Sequence, residues 1–243
     1  MRLQGKTAVV TGGGTGIGWG VARALASEGC RVAISGRREE VLKEATSQWK
    51  NEPPVFSHVC DVADRTSVRE LFDWVAATLG SLDILVNAAG TNIRNRSMAE
   101  MAPEQWDDLM AINATGAYNC MHAVLPQMRQ RKDGLIVNIS SISGKRASQL
   151  GGVAYSASKF AMTALGTCVG NEENAHGIRV TNVYPGEVET PILDLRPEPV
   201  SAERRAVILQ PEDVGMLVTS IALLPPRAHV PEVVIKPTVH EYA

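Results

Sequence analysis

The sequence has little of what membrane proteins and nucleic-acid-binding proteins need. No apolar run approaches the roughly 18 residues of a membrane-spanning helix, and aromatic residues make up only 5% of the 243 positions. The formal charge is −2, from 24 Lys and Arg against 26 Asp and Glu, so there is no strong field of one sign. We therefore expect neither a membrane nor a nucleic acid among the partners.

The cysteine and histidine patterns do not indicate a metal site. The four cysteines are far apart with no Cys-x-x-Cys pair, and the five histidines have no metal-ligand spacing, so we predict no metal site. We expect the cysteines to be small packing residues in a reducing compartment. The N-terminus MRLQGK runs at once into an apolar segment and leaves no room for a signal peptide. These absences together predict a cytoplasmic protein.

What the sequence does contain is a regular alternation of strand and helix patterns. Hydrophobic residues are 44% of the chain, enough for a full core, and no repeat or linker interrupts them. Such alternation predicts an α/β protein with a doubly wound (Rossmann) parallel seven-stranded sheet, helices on both faces and a single domain over residues 1–243. We predict the strand order 3-2-1-4-5-6, with strand 7 beyond. The predicted strands are residues 7–10, 31–35, 55–62, 82–86, 134–141, 178–184 and 233–236.

Residues 6–28, KTAVVTGGGTGIGWGVARALASE, combine a buried strand, a glycine turn and the start of a helix. Glycines let the backbone turn tightly, and the first N–H groups of the helix then point at a ligand from the positive end of its dipole. We predict a phosphate there. The spacing is Thr-Gly-x-x-x-Gly-x-Gly, so a turn that merely packs a helix on a sheet is the alternative. The strand before and the amphipathic helix after it favour phosphate.

In doubly wound sheets the ligand lies beyond the carboxyl ends of the strands, where the strand order reverses. Glycine or polar residues follow the predicted strands at Gly12 to Gly18, Arg37, Asp61, Asn87 to Gly90, Ser141 and Pro185 to Gly186. Residues 191–205 contain three prolines and six charged residues, too irregular for an element of their own. We therefore predict a substrate flap over residues 187–210.

Tyr155 and Lys159 are four residues apart at the start of a predicted helix and share one face. A free tyrosine has a pKa of about 10, and an ammonium group beside it favours the phenolate and depresses that value. Such a pair would serve as a general acid and base near neutral pH. The alternative is a lysine whose stem merely covers a half-buried tyrosine.

These motifs resemble the short-chain dehydrogenases/reductases of the short, single-domain type. The resemblance covers about residues 3–190, in the order the family has them. The matching residues are Thr11-Gly12-Gly13-Gly14-Thr15-Gly16-Ile17-Gly18, Asp61-Val62, Asn87-Ala88-Ala89-Gly90, Asn113, Ser141, Tyr155 to Lys159, and Pro185-Gly186 followed by Thr190. Ala88 stands where a second asparagine is commoner, and residues 230–243 lack the usual glycine-rich ending.

The resemblance implies a role for each of four catalytic residues. Tyr155 would donate or accept the proton, and Lys159 would lower its pKa and hold the nicotinamide ribose. Ser141 would orient the substrate oxygen, although Ser140 and Ser143 compete for that role. Asn113 would keep a water in a proton relay, unless it is a helix residue bonded to backbone. The predicted cofactor contacts are Gly12, Gly14, Thr15, Gly16, Ile17, Gly18, Arg37, Asp61, Val62, Asn87, Ala88, Gly90, Tyr155, Lys159, Pro185, Gly186, Val188 and Thr190.

The end of the second strand predicts NADP as the cofactor, with NAD less favoured. Gly36 stands where the family usually has an acid, and Arg37 follows it. A carboxylate would bind the ribose hydroxyls, whereas an arginine attracts a 2′-phosphate. The alternative is a solvated arginine at a helix start.

We therefore predict an NADP-dependent oxidoreductase acting on a small carbonyl or alcohol, as a homodimer or homotetramer by the resemblance. A non-catalytic NADP-binding regulator on the same fold is the alternative, and a scaffolding protein fits less well. The loop after the Asn-Ala-Ala-Gly turn adds Arg94, which could grip a substrate carboxylate. The alternative, which we favour at this point, pairs Arg94 and Arg96 with acids of this or a neighbouring subunit.

Overall fold

The computed structural model describes residues 1–239, so the last four residues of the atypical C-terminus lie outside the described chain. Seven parallel strands form one sheet in the order β3-β2-β1-β4-β5-β6-β7, which confirms the predicted topology. The strands are β1 Thr7–Thr11, β2 Arg31–Gly36, β3 Val55–Val59, β4 Ile84–Asn87, β5 Gly134–Ile139, β6 Ile178–Pro185 and β7 Glu232–Ile235.

Helices cover both faces of the sheet. The α-helices of the described residues are α1 Gly16–Ser27, α2 Glu39–Gln48, α3 Arg65–Leu79, α4 Pro103–Met110, α5 Gly116–Arg131, α6 Val153–Glu173, α7 Ala202–Arg205 and α8 Pro211–Ala222. The start of α3 follows its sequence signal, because the Asp64 carboxylate accepts a hydrogen bond from the Thr66 N–H at 2.8 Å.

The core forms two layers because side chains alternate along each strand. In β1, Ala8 and Val10 pack with α1, α2 and α8, whereas Val9 packs on the opposite face with α3, α5 and α6. All five residues of β1 are buried, as expected for a central parallel strand. Three of the four cysteines are buried as predicted, but Cys168 is exposed on α6.

Two predicted segments contain helical elements that the sequence pattern did not indicate. The helical pattern over residues 103–131 is interrupted by a π-helical turn, Ala111–Thr115, between α4 and α5. The segment predicted to be irregular contains a 3₁₀ helix, Pro191–Leu195, and α7. Sequence periodicity missed α7 because the helix is short and rests on a cap, in which the Ser201 hydroxyl accepts a hydrogen bond from the Arg204 N–H at 3.3 Å.

Strand β3 ends three residues earlier than its alternating pattern predicts. The Asp61 carboxylate accepts a hydrogen bond from the Ala63 N–H at 3.0 Å, so a side chain turns the chain before the pattern ends. Within residues 1–239, no helix combines the length and the apolar character that crossing a bilayer requires.

Candidate active site

A cavity of about 780 Å³ opens at the carboxyl ends of the strands, where the strand order predicted a ligand. Its volume is in the range of small-molecule and cofactor pockets. The predicted site residues that line it are Gly12, Gly14, Thr15, Gly16, Ile17, Gly18, Arg37, Asp61, Val62, Ala88, Gly90, Ser141, Tyr155, Lys159, Pro185, Gly186, Val188 and Thr190. Asn87, Arg94 and Asn113 are outside this lining.

The glycine turn between β1 and α1 is closed against two neighbouring loops. Gly12 has φ +64°, and a Cβ there would lie 2.8 Å from the Ala88 carbonyl oxygen and from the Ala89 Cα. Gly16 has φ +51°, and its Cβ would lie 3.0 Å from Thr190 Cγ2. Only glycine fits both the backbone conformation and the space. The turn therefore leaves the first N–H groups of α1 facing the cavity, an arrangement that fits a phosphate.

Thr11 holds this arrangement together, although from the sequence it was only a member of the motif. Its hydroxyl accepts hydrogen bonds from the N–H groups of Ala88 and Ala89, both at 3.2 Å. The glycine turn after β1 and the turn after β4 are thus tied to each other. A buried threonine directly before the first glycine was the available signal.

The end of β2 offers a cation and no acid. Gly36 is open, since a Cβ there would meet only Leu42 Cδ2 at 3.7 Å. Arg37 and Arg38 line the cavity, are exposed, and make no ion pair within residues 1–239. Asp61 and Val62 line the same end. The end of β2 therefore contributes positive charge to this part of the cavity.

Tyr155 and Lys159 both face the cavity from the first turns of α6. The Lys159 ammonium donates to the Ile139 carbonyl oxygen at 2.9 Å and lies 5.7 Å from the centre of the Tyr155 ring. Lys159 is 4% exposed, and burial lowers its pKa to about 8. The lysine is therefore held by the end of β5 and directed toward the ring, and its charge is sensitive to pH near 8.

The pKa of Tyr155 is raised rather than lowered, which corrects the expectation from the sequence. Burial is the largest cause, and it outweighs a hydrogen bond with Ser141 and the positive charge of Arg96, which both lower the pKa. The sequence argument considered the lysine alone and did not include the cost of removing a phenolate from water. The contact with Ser141, made at the end of β5, favours Ser141 over its neighbours as the partner of Tyr155.

The neighbouring serines have other contacts. The Ser140 hydroxyl donates to the Lys159 carbonyl oxygen at 3.2 Å, and the Ser143 N–H donates to the Ser141 hydroxyl at 3.1 Å. Ser140 thus fixes the backbone of α6. Ser143 and Ser141 both line the cavity.

Asn113 lies in the π-helical turn and is fully buried. Its amide donates to the Thr91 carbonyl oxygen and to the Ser158 hydroxyl, both at 3.0 Å, and its Oδ1 accepts from the Thr91 N–H at 2.8 Å. The side chain therefore fixes the loop after Gly90 against α6. These contacts fit the alternative, a helix residue bonded to backbone, with the backbone supplied by Thr91. The water relay stays a prediction.

Asn87 also lies below the cavity floor. Its amide donates to Asn138 Oδ1 at 2.9 Å, and the Asn138 amide donates to Asn182 Oδ1 at 3.1 Å, so a row of amides crosses β4, β5 and β6. Asn87 Oδ1 is buried with no partner in the described chain. The structure thus gives Asn87 a bond across the sheet rather than a surface in the cavity.

The arginines of the loop after β4 are placed differently from the expectation. Arg94 is exposed and donates to the Asp194 carbonyl oxygen at 3.1 Å. Arg96, two residues later, reaches the cavity lining and is 9% exposed. Both bind carbonyl oxygens, and neither pairs with an acid within the described residues. The sequence could not distinguish them, because the path of an irregular loop decides which one turns inward.

A glycine turn at the start of α1 opens into the same cavity as a tyrosine and a lysine, at the carboxyl ends of a parallel sheet. The sequence matches the short chain dehydrogenase family over residues 6–199, and the protein belongs to that family. An uncharacterized oxidoreductase of Staphylococcus saprophyticus is 34% identical over 239 residues, which is 98% of this chain and 99% of the relative.

Two solved structures have the same fold over nearly their whole length. The closed form of serine dehydrogenase complexed with NADP⁺ superposes with a TM-score of 0.89 at 27% identity, covering 98% of this chain and 97% of the other. A metagenomic short-chain oxidoreductase in complex with NADP has a TM-score of 0.85 at 32% identity, covering 99% and 100%.

Proposed function

We propose that this protein is an oxidoreductase that transfers a hydride between NADP(H) and a small carbonyl or alcohol. The single observation that carries the proposal is the meeting of Tyr155, Lys159 and Ser141 in the cavity that the glycine turn also enters. The related structures that hold NADP⁺ or NADP support the choice of a nicotinamide cofactor.

The cradle of the glycine turn fits the dinucleotide phosphates, because a Cβ at Gly12 would occupy space that the turn after β4 already fills. Residues from Gly14 to Gly18 would hold the pyrophosphate, and Arg37 would bind the 2′-phosphate. Asp61 and Val62 would contact the adenine, and Lys159 the nicotinamide ribose. When bound, the cofactor supplies the hydride chemistry at its nicotinamide ring.

The residues of the chain manage the proton. Tyr155 gives its proton to the substrate oxygen as a carbonyl is reduced, and accepts it in the reverse direction. Ser141 donates a hydrogen bond to the same oxygen, so both hydroxyls are aimed at the charge that develops there. The raised pKa keeps Tyr155 protonated in the free protein. The Lys159 cation would favour the phenolate as the proton leaves. Asn113 keeps the loop after β4 in place.

Residues 187–210 would act as the substrate flap. They contribute Glu187, Val188, Thr190, Ile192 and Leu193 to the cavity lining. A small substrate would bind between these residues and Tyr155. Exclusion of water there would strengthen each hydrogen bond to the reacting oxygen.

Binding and turnover distinguish this proposal from a non-catalytic NADP-binding regulator. NADPH and NADH are titrated by their fluorescence, and a panel of ketones, alcohols and serine is then followed at the nicotinamide absorbance. Serine is included because one related structure is a serine dehydrogenase. Turnover of any member with preference for NADPH is the expected result. Tight NADPH binding without turnover across the panel would favour the regulator.

A further inference from the structure

Arg96 connects three segments around the substrate end of the cavity. Its Nε donates to the Ile93 carbonyl oxygen at 2.8 Å, and its two terminal nitrogens donate to the carbonyl oxygens of Leu150 and of Leu195, the latter at 3.1 Å. Ile93 belongs to the loop after β4, Leu150 precedes α6, and Leu195 ends the 3₁₀ helix of residues 187–210. A single planar guanidinium thus joins three backbone segments.

The backbone of Arg96 also contacts the start of α6. The Val153 N–H donates to the Arg96 carbonyl oxygen at 3.2 Å. Gly152, the N-cap of α6, has φ +84°, and a Cβ there would lie 2.6 Å from Arg96 Cβ. The first turn of α6 carries Tyr155, so Arg96 lies directly against the part of the helix that presents the phenol.

Charged groups line the cavity from three segments around Tyr155. Helix α6 contributes Lys159, the loop after β4 contributes Arg96, and residues 187–210 contribute Arg196 and Glu187. The turn after β5 contributes an uncharged group, the Ser141 hydroxyl, which hydrogen-bonds Tyr155. Arg196 is paired with Glu187 at 2.6 Å. Arg96 has only carbonyl oxygens as partners within residues 1–239, so no carboxylate neutralises its charge. Burial, together with the charge of Arg196, lowers the pKa of Arg96.

We propose that Arg96 is a positioning residue that fixes residues 187–210 against α6 and places a positive charge beside Tyr155. The role in catalysis rests on the proposed function, whereas the structural connection does not. The two parts are separable, since a lysine keeps the charge but loses the planar arrangement of donors. A glutamine keeps some hydrogen bonding and loses the charge.

The first measurement is hydrogen exchange over residues 190–200 of the whole protein without added nucleotide. Arg96→Gln and Arg96→Lys are each expected to speed exchange there by about tenfold, because directed hydrogen bonds to Leu195 and Leu150 are lost. Arg94→Gln is the matched control, since Arg94 binds the adjacent carbonyl of Asp194 from outside the cavity. It is expected to change exchange only slightly. Wild-type exchange in both Arg96 variants overturns the connection.

The second measurement is the pH dependence of kcat/KM for alcohol oxidation, which needs ionised Tyr155. Loss of a nearby cation raises the pKa of Tyr155, so the rising limb in Arg96→Gln is expected to move up by about one pH unit. Arg96→Lys and Arg94→Gln should keep the wild-type limb. A coincident limb in Arg96→Gln overturns the electrostatic part. If Arg96→Gln fails to fold, Arg96→Met keeps the apolar stem against Gly152 and replaces it.

If the protein turns over no substrate, the proposed function is refuted, but the electrostatic part of the Arg96 proposal can still be tested. The ionisation of Tyr155 is then followed by tyrosinate absorbance, as the difference between each variant and the same variant carrying Tyr155→Phe. The chain has four tyrosines, so one residue is a measurable fraction of the signal. Equal ionisation at each pH with and without the Arg96 charge would refute the electrostatic part independently.

Discussion

The two ends of the cavity are built by different means. At the proposed cofactor end, the turn between β1 and α1 takes its shape mainly from backbone, with Gly12 and Gly16 at positive φ. At the proposed substrate end, the loop after β4 and residues 187–210 are joined by arginine side chains that reach backbone carbonyls. Backbone geometry is local and leaves a pattern in the sequence. Side-chain pairing across many residues leaves no pattern that can be read from one chain.

Ion pairs inside residues 187–210 sharpen this contrast. Glu187 pairs with Arg196 at 2.6 Å and with Arg204 at 2.7 Å, and its side chain is only 5% exposed. Arg205 pairs with Glu189 at 2.5 Å and with Asp194 at 2.8 Å. Charged residues that made the segment look irregular in the sequence are thus the contacts that order it.

The largest effect is expected from removing the Tyr155 hydroxyl, where the two ends of the cavity meet. Tyr155→Phe should lower turnover by about 10² to 10⁴, the usual contribution of a positioned acid or base, and leave NADPH affinity nearly unchanged. Turnover is measured on the best substrate of the panel, and affinity by fluorescence titration. Near-normal turnover with the phenylalanine would remove Tyr155 from the chemistry.

A second test addresses the backbone-built end. Gly12→Ala should weaken NADPH binding by about 10- to 100-fold, because positive φ and the contact with the turn after β4 strain the loop. Gly36→Ala is the matched control, since its Cβ would have ordinary space. Equal NADPH affinities of the two variants in titrations, with comparable Tm, would mean that the glycine geometry does not determine binding.

A third test concerns the one side chain that the cofactor end needs for selectivity. Arg37→Asp should weaken NADPH by about 10- to 100-fold and leave NADH much less affected, because a charge-assisted bond to the 2′-phosphate becomes a repulsion. Arg69→Asp on α3 makes the same change of charge at an exposed position away from the cavity. If wild-type protein binds both nucleotides equally in titrations, the selectivity assignment fails.

The smallest effect is expected from the ion pairs. The pairs of Arg205 are partly exposed, and such pairs contribute about 0–1 kcal/mol each and are screened by salt, whereas the pairs of the buried Glu187 are screened less. Raising NaCl should therefore speed hydrogen exchange over residues 187–210 by a few-fold and leave the amides of β1 and the start of α1 unchanged. If salt speeds exchange equally at both ends of the cavity in one experiment, the contrast between an end shaped by backbone and an end ordered by side-chain contacts is contradicted.

The sequence predicted the sheet order, and most of the predicted site residues line the cavity, because both depend on strand ends and glycines. The pKa of Tyr155 is raised, whereas the sequence argument expected it to be lowered. The substrate role of Arg94 stays a prediction, and the structure adds that Arg96, rather than Arg94, lines the cavity. Arg94 and Arg96 differ only in the path of a loop, and the pKa depends on burial by residues distant in the chain. Thr11 was quoted as part of a motif, but its bonds to Ala88 and Ala89 needed two strands side by side.

The π-helical turn Ala111–Thr115 sets the angular phase between the two halves of a long helix. One residue corresponds to about 100° of helical rotation, so the insertion lets Asn113 face Thr91 while Cys120 and Met121 face the core. Point substitutions elsewhere on α4 or α5 preserve this phase. A single-residue deletion anywhere in the turn would not, and evolution or design can therefore change the letters of this stretch far more freely than its length.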